Sequence, residues 1–335
     1  MKKCLQCQKP YENENWRCPI CLTGPSFEGA IPYFAPTLAE ENDGFPGLSF
    51  ERLFALEENN FWFKARNELI LWAIGKYFSS AKSFFEIGCG TGFVINGVKR
   101  QFASLKLTGS EIHRRGLDFA SRRLPAVDLL QMDARAIPFA NEFDLVGLFD
   151  VLEHIEEDEK VLLQIFEAVR AKSGGLILTV PQHRFLWSYA DEFACHCRRY
   201  SKTELCSKVE KAGFEVTFVS SFVSLLLPLM LISRLTKGNP KDYSLECEFK
   251  MPTWLNRAFE IAMQIERTCV QAGLRLPLGG ASRCSCSCNY VLAPSDSSGR
   301  ELLYFRLKVF KRKKPRTTSR LFSIFKCRCY CANPA

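Results

Sequence analysis

The chain has 335 residues, 47% of them hydrophobic and 28 of them phenylalanine, which is enough for one main globular domain with smaller additions. Its formal net charge of +9 would by itself suggest a nucleic-acid ligand. From Arg300 onward, however, eleven Lys and Arg residues accompany one Glu, whereas the first 299 residues contain 34 basic and 35 acidic residues. The body of the protein therefore lacks the basic excess that phosphate binding requires.

Two C-x2-C pairs, separated by ten residues, open the chain: Cys4, Cys7, Cys18 and Cys21. Four thiolates at this spacing suit tetrahedral coordination of zinc. The start Met1-Lys2-Lys3 leads into Cys4 without an apolar stretch, so we expect no signal peptide and do not favour secreted-type disulfides. We predict a structural zinc ribbon over residues 1–30 and a linker over residues 31–48.

The main domain is predicted to span residues 49–220, and it begins with helical periodicity from Phe50 to Phe78. Within this stretch, three consecutive aromatic residues (61–63) precede Arg66. One helix face does not need three aromatic side chains in a row. Packing under the edge of a sheet is one explanation, and we accept it for Phe63.

A short apolar strand, 84–87, then runs into a turn that contains Gly88, Gly90 and Gly92. Glycines allow a ligand to approach the backbone closely, and the N–H groups of the following helix face it. An acid, Glu86, precedes the glycines, and no Lys-Ser/Thr follows them, so a phosphate-binding loop is not expected. Taken alone, the glycines also fit a dinucleotide site or an ordinary tight turn.

Further strands are predicted at 105–111, 127–133, 143–149 and 174–180, the first two ending in acids. A carboxylate at Glu111 can accept hydrogen bonds from both hydroxyl groups of a ribose. A generic doubly wound α/β domain would also explain any one of these motifs, but not all of them in this order.

Together, E-x-G-x-G-x-G from Glu86, the acids Glu111 and Asp133, and F-D-x-V…D-V-L-E-H from Phe143 resemble class I S-adenosylmethionine (SAM) methyltransferases of the type-11-like branch. The resemblance implies an α/β fold with a doubly wound, mostly parallel, seven-stranded Rossmann-like sheet. It also implies SAM as cofactor, with Trp62 and Arg66 closing its pocket. The residues expected to bind SAM are Glu86, Gly88, Cys89, Gly90, Thr91, Gly92, Glu111, Asp133, Asp150, Trp62 and Arg66.

The loop after the fifth strand should lie beside the transferred methyl, because ligands bind outside the carboxyl ends of parallel strands. It contains His183, our first candidate for a general base; His154, after the fourth strand, is the second. Farther along, Asp191, His196 and Arg199 could act in catalysis, but a structural network that holds the loop is at least as good an explanation.

A sixth strand is predicted at 214–219. Residues 221–293 follow as a helical addition that could include the last strand, and 294–335 as a basic, cysteine-rich tail that we expect to be disordered. The apolar segment 222–235 is expected to be buried or self-associating, and peripheral membrane contact is the alternative.

We expect methyl transfer to a small-molecule, lipid-linked or sugar-linked acceptor, with O-methylation slightly favoured, in a cytoplasmic protein that could touch the inner face of the membrane. One alternative is a ribosomal RNA base methyltransferase whose zinc ribbon docks RNA. Another is a non-catalytic SAM-fold subunit that binds a partner. The neutral body argues against the first, and the intact glycine loop with both acids argues against the second.

Overall fold

A nine-stranded mixed sheet lies at the centre of the molecule. A computed structural model describes residues 1–39, 48–171, 174–235, 251–273, 289–290 and 309–312. Its strands are β1 (Lys2–Lys3), β2 (Pro10–Tyr11), β3 (Ser26–Glu28), β4 (Ile31–Tyr33), β5 (Ser83–Ile87), β6 (Lys106–Glu111), β7 (Asp128–Gln131), β8 (Leu145–Phe149), β9 (Gly175–Thr179), β10 (Phe214–Val216), β11 (Ser220–Ser221), β12 (Asn289–Tyr290) and β13 (Val309–Arg312).

Helices pack against the sheet. They are α1 (Leu48–Leu56), α2 (Phe61–Tyr77), α3 (Phe93–Gln101), α4 (Arg114–Arg123), α5 (Asp158–Ala168), α6 (Tyr189–Phe193), α7 (Lys202–Lys211), α8 (Leu227–Leu235) and α9 (Thr253–Gln271). Short 3-10 turns occur at Pro36–Leu38, Leu152–His154 and Arg184–Leu186.

The strand order of the main sheet is β10-β13-β9-β8-β5-β6-β7-β4-β3. Neighbours from β9 through β7 are all parallel, whereas β13 is antiparallel to both β9 and β10. The order reverses at β5, from which the chain first builds outward through β6 and β7 and then returns to β8. The predicted doubly wound, mostly parallel sheet of seven strands is therefore confirmed, and β4 and β3 extend it at one edge.

The central strand β5 shows why the sheet forms here. Successive side chains of a strand point to opposite faces, so Phe84 and Phe85 each enter a different apolar cluster. Both are fully buried. Phe85 stacks on Phe143 with ring centroids 4.7 Å apart and meets the edge of Phe139 at 5.5 Å. Burial on both faces is typical of parallel sheets covered by helices.

Two of the expected boundaries differ in the structure. The last strand of the sheet is β13, which lies within the segment 294–335 that we expected to be disordered; for these four residues that expectation is wrong. The strand reads Val-Phe-Lys-Arg, so its apolar part is only two residues long and runs directly into a basic segment, and pairing on both sides can hold so short a strand. Likewise β4, within the predicted linker, pairs in parallel with β7 through Tyr33 and Gln131.

The predicted helix from Phe50 to Phe78 is divided in two. Asn60 has an extended backbone (φ −86°, ψ 133°), and its side chain accepts a hydrogen bond from the N–H of Trp62, which starts α2 as an N-cap. α9 packs against α2, with Phe61 and Phe259 in edge contact at 5.1 Å and Lys64 paired with Glu260. The break separates α2, which is anchored in the core, from α1.

The segment leading into α8 is partly buried, with Phe222, Val223 and Met230 in the main apolar cluster. Leu229 and Ile232 are exposed, so burial of this segment is incomplete. In the part of the chain that the structure describes, no helix has the length and apolar character needed to cross a bilayer.

Phe85→Ala should lower the free energy of unfolding by about 3–5 kcal/mol, because it leaves a cavity between two packed rings. Chemical denaturation monitored by circular dichroism measures this. Phe27→Ala is the matched control: Phe27 is 55% exposed on β3, and its loss should cost less than about 1 kcal/mol. Equal losses in the two variants would contradict the assignment of Phe85 to the core.

Candidate functional site

A cavity of about 670 Å³ opens at the carboxyl ends of the parallel strands, where ligands bind in sheets of this kind. Phe50 and Leu53 of α1 form one wall, and residues 194–196 form another. The sequence-predicted site residues that line it are Trp62, Arg66, Glu86, Gly88, Cys89, Gly90, Thr91, Glu111, Asp133, Asp150 and His154.

The glycine loop needs glycine for different reasons at its three positions. All three glycines have positive φ angles, which residues other than glycine rarely adopt. A Cβ atom on Gly88 would lie 2.4 Å from Val151, whereas the nearest atom to a Cβ on Gly90 is a Phe50 carbon at 4.0 Å. Gly92 caps α3 instead and is the one predicted cofactor residue outside the cavity lining.

Glu111 joins the end of β6 to the glycine loop. One carboxylate oxygen accepts a hydrogen bond from Gly90 N at 2.9 Å, and the other accepts from Ile112 N at 2.8 Å and His113 N at 3.1 Å. These backbone contacts fix the carboxylate at the cavity wall, where the sequence places a ribose-binding acid.

Glu86 is almost fully buried at the end of β5. Its Oε2 atom has no hydrogen-bond partner among the described residues. Burial raises the pKa of Glu86 to about 8, although the charge of Arg66 opposes the rise. The cavity thus holds a carboxyl group that an additional positive charge nearby would ionise.

Arg66 faces the cavity but already has an acidic partner. Its guanidinium forms an ion pair with Asp150 at 2.8 Å and donates to the carbonyl of Phe149 at 3.2 Å. The ring of Trp62 lies 5.1 Å away, and its Nε1 atom is buried without a partner among the described residues. Asp150 has a positive φ of 56° and also accepts from Thr179.

A buried ion pair that sequence reasoning missed anchors the glycine loop. Glu57, 6% exposed at the end of α1, accepts hydrogen bonds from the Thr91 hydroxyl at 2.6 Å and from Arg123 of α4 at 2.8 Å. Arg123 also donates to the Thr91 carbonyl. Local patterns give no signal for this contact, because Glu57 and Arg123 are 66 residues apart.

At the rim of the cavity, Asp133 pairs with Arg135 at 2.9 Å, and Arg135 reaches Glu157 at 3.1 Å. The backbone N–H of Arg135 also donates to Asp133. Asp133 therefore lies in the cavity lining, held by its own turn.

The two predicted candidates for a base are placed differently. His154 lines the cavity, but burial and then the neighbouring His196 lower the pKa of His154 to about 3, so its ring is neutral near pH 7. His183 is not among the lining residues of the cavity. It is the N-cap residue of a 3-10 turn and has a positive φ of 62°. Its ring packs against the ring of Phe185, with centroids 5.0 Å apart.

The expected structural network of Asp191, His196 and Arg199 is present at the wall formed by residues 194–196. Asp191 is fully buried and lies 3.0 Å from His196 Nδ1. It also accepts from Arg199 at 2.7 and 2.9 Å, so both of its oxygens are engaged. His196 itself lines the cavity and stacks edge-to-face on His154 with ring centroids 4.7 Å apart.

Away from this cavity, the four amino-terminal cysteines converge. The sulfur atoms of Cys4 and Cys21 are 3.4 Å apart, and those of Cys7 and Cys18 are 3.7 Å apart. All four lie within 4.8 Å of one another. Trp16 packs on Phe139, which attaches this hairpin to the main sheet.

Residues 56–219 match the sequence model of a methyltransferase domain. This range includes the glycine loop, the acids that end the strands and the His154–His196 wall. The chain is a class I SAM-dependent methyltransferase. No curated protein matches it significantly.

Several solved structures are similar to this methyltransferase at low identity. A Thermotoga maritima SAM-dependent methyltransferase, described as a possible histamine N-methyltransferase, is 21% identical, covers 59% of this chain and 84% of its own, and has a TM-score of 0.42. Phosphoethanolamine N-methyltransferase 2 of Haemonchus contortus is 15% identical, with coverages of 70% and 49% and a TM-score of 0.42. The [4+2]-cyclase SpnF is 14% identical, with coverages of 75% and 83% and a TM-score of 0.47.

Stability should depend on pH through Glu86. The folded protein binds this proton more tightly than the unfolded chain, so the free energy of unfolding falls as the pH rises from 4.5 to about 8. Glu86→Gln removes that dependence. Denaturation of both proteins across this pH range measures their free energies of unfolding. That of the variant should increase relative to the wild type as the pH rises, and the difference should level off above pH 8.

Glu215→Gln, at an exposed position of β10, is the control for the loss of a carboxyl group outside the cavity lining. If the Glu86→Gln curve runs parallel to that of the wild type, the raised pKa is wrong.

Proposed function

We propose that this methyltransferase transfers the methyl group of SAM to an oxygen of a small-molecule, lipid-linked or sugar-linked acceptor. The observation that carries the proposal is a single cavity lined both by the glycine loop with its acids and by His154 and His196. Its volume lies within the range of about 300–1,000 Å³ usual for small-molecule sites.

The chemistry of the lining fits SAM. The buried Glu86 carboxyl group has an oxygen without a partner among the described residues, as a site for the cofactor's ammonium group would need. The Trp62 Nε1–H is a buried donor that also lacks a partner among the described residues, and it could donate a hydrogen bond to an anionic group of SAM. Open space beside Gly90 leaves room for a ligand against the backbone.

The residues of this chain would bind SAM, orient it towards the acceptor and enclose both molecules. Glu111 is fixed by backbone donors where it can accept from ribose hydroxyls, and Glu57 with Arg123 holds the glycine loop in place. When bound, SAM supplies a methyl group activated on its sulfonium. Phe50 and Leu53 of α1 cover the same cavity and would exclude water, which favours transfer by position rather than by covalent catalysis.

We expected the loop after the fifth strand, which contains His183, to contact the acceptor. We now propose that the cavity wall at residues 194–196 has this role instead. His183 does not line the cavity, and Trp187 and Tyr189 are 39% and 43% exposed. His154 and His196 are the histidines at this wall, and they can meet a polar oxygen of the acceptor. Exposed Leu229 and Ile232 on α8 would suit a lipid-linked acceptor or contact with a membrane surface.

Glu111→Gln should weaken SAM binding about 10–100-fold, because hydrogen bonds to a charged group contribute roughly 1.5–3 kcal/mol. Isothermal titration calorimetry with the full chain measures this. Glu215→Gln, far from the cavity lining, should bind like the wild type. Gly90→Arg, which fills the cavity from the loop, should abolish binding. Unchanged affinity in both site variants would overturn the cofactor assignment.

We also propose that Cys4, Cys7, Cys18 and Cys21 bind one structural zinc ion. Tetrahedral coordination with Zn–S bonds of about 2.3 Å places sulfurs about 3.8 Å apart. The separations of 3.4 and 3.7 Å are close to this value and well beyond the roughly 2.05 Å of a disulfide. Four thiolates would leave no open position for catalysis.

Protein purified without chelator should contain this zinc, and Cys18→Ser should lose one equivalent of it in elemental analysis. Cys206→Ser, a partly buried cysteine of α7 outside the cluster, is the matched control and should retain it. The thermal unfolding temperature should fall in Cys18→Ser alone, because metal binding contributes to folding. Metal-free wild-type protein would contradict the proposal.

The acceptor class can be tested by incubating the full chain with methyl-labelled SAM and cell extract, then separating lipid, polar-metabolite and RNA fractions. We expect label in the lipid or polar-metabolite fraction, with an alkali-stable O-methyl group in the product. Gly90→Arg protein is the control and should give none. Label confined to RNA would overturn the proposed acceptor class while leaving the methyltransferase activity intact.

A further inference from the structure

Three side chains at the proposed acceptor wall form a cluster to which we have assigned no cofactor contact. Glu153 follows β8 in the 3-10 turn with His154, and His196 comes from the loop after α6. Their potential ligand atoms all lie within 4.8 Å of one another. His154 and His196 line the cavity, so anything bound between them would face it.

Glu153 is the unusual member of the cluster. Its side chain is fully buried, yet neither carboxylate oxygen has a hydrogen-bond partner among the described residues. Buried polar groups nearly always have partners, because leaving one unsatisfied costs free energy. Arg66 and Arg199, the nearby cations, are already paired with Asp150 and Asp191.

His196 is oriented as metal-bound histidines usually are. Asp191 holds Nδ1 at 3.0 Å, which leaves Nε2 as the free ring nitrogen. Arg199 fixes Asp191 in turn with two hydrogen bonds. A carboxylate behind a histidine sets its tautomer and direction in this way at many metal sites. The backbone N–H of Cys197 donates to the Glu153 carbonyl at 2.8 Å, which ties the two halves of the cluster together.

We propose that Glu153, His154 and His196 bind a divalent transition-metal ion that holds an oxygen of the methyl acceptor. Two imidazoles and one carboxylate are a donor set that such ions accept, and three protein ligands leave positions open for substrate. Donor atoms about 2.0–2.2 Å from one ion are about 3.4 Å apart in tetrahedral geometry and at most about 4.4 Å apart when they are opposite each other. The three side chains, whose ligand atoms lie within 4.8 Å of one another, would have to draw together to hold the ion.

The metal would help O-methylation by making the hydroxyl group of the acceptor easier to deprotonate. Bound to the ion, an acceptor hydroxyl loses its proton to solvent more readily. Its oxygen then forms the O–CH₃ bond as the C–S bond of SAM breaks, and S-adenosylhomocysteine leaves. This role rests on the proposed methyl transfer, whereas the binding of the ion does not.

Metal binding is measured on the full chain with Mn²⁺ followed by electron paramagnetic resonance, and with Zn²⁺ followed by equilibrium dialysis. Mn²⁺ binds the weakest of the first-row divalent ions and prefers oxygen ligands, so the four-thiolate cluster should not take it. We expect one Mn²⁺ per chain and a second Zn²⁺ beyond that held by the cysteines. Glu153→Gln and His196→Gln should each weaken this site at least 10-fold.

Glu215→Gln is the control, since it removes the same charge from an exposed position outside the cavity lining. SAM titrations of the same proteins separate the two claims. SAM binding without Mn²⁺ or a second Zn²⁺ would overturn the metal site alone, as would unchanged metal binding in both variants. Metal binding without SAM binding would overturn the proposed function and leave the site standing.

Discussion

Buried negative charge is the constraint on which the arrangement of this cavity depends. Acids gather around this cavity from the strand end at Asp150, from the end of α1 at Glu57 and from α6 at Asp191, and a buried carboxylate is costly unless a partner compensates it. Arginines from different elements supply that compensation. The ion pairs are Arg123 with Glu57, Arg66 with Asp150, and Arg199 with Asp191.

The same ion pairs build the walls of the site. Arg123 brings α4 and the end of α1 to Thr91, so the covering helix is positioned by the pair that holds the glycine loop. Arg199 fixes the loop that carries His196. Removing one partner of a buried pair costs about 3–5 kcal/mol, because the other charge is stranded. The ion pairs that compensate the buried charges therefore also determine the shape of the cavity.

The sequence predicts the central strands and most of the cofactor lining, because each depends on residues adjacent in the chain: an apolar strand, an acid and a glycine turn. It does not predict contacts formed by distant segments. His154 and His196 are separated by 41 residues, and their edge contact arises only when the loop after α6 folds back. β13 was missed for a similar reason, since it is held by pairing with β9 and β10, which lie far from it in the chain.

Two acids fall outside the pattern of pairing: Glu86 at the end of β5 and Glu153 after the adjacent strand β8 have oxygens without partners among the described residues. A cavity in which every acid were paired would have to break an ion pair to admit a cationic ligand. Leaving these two carboxyl groups without arginines avoids that cost. The two carboxyl groups with oxygens that lack partners among the described residues, Glu86 in the cavity lining and Glu153 buried behind it, are therefore the two where the proposed chemistry requires a positive charge.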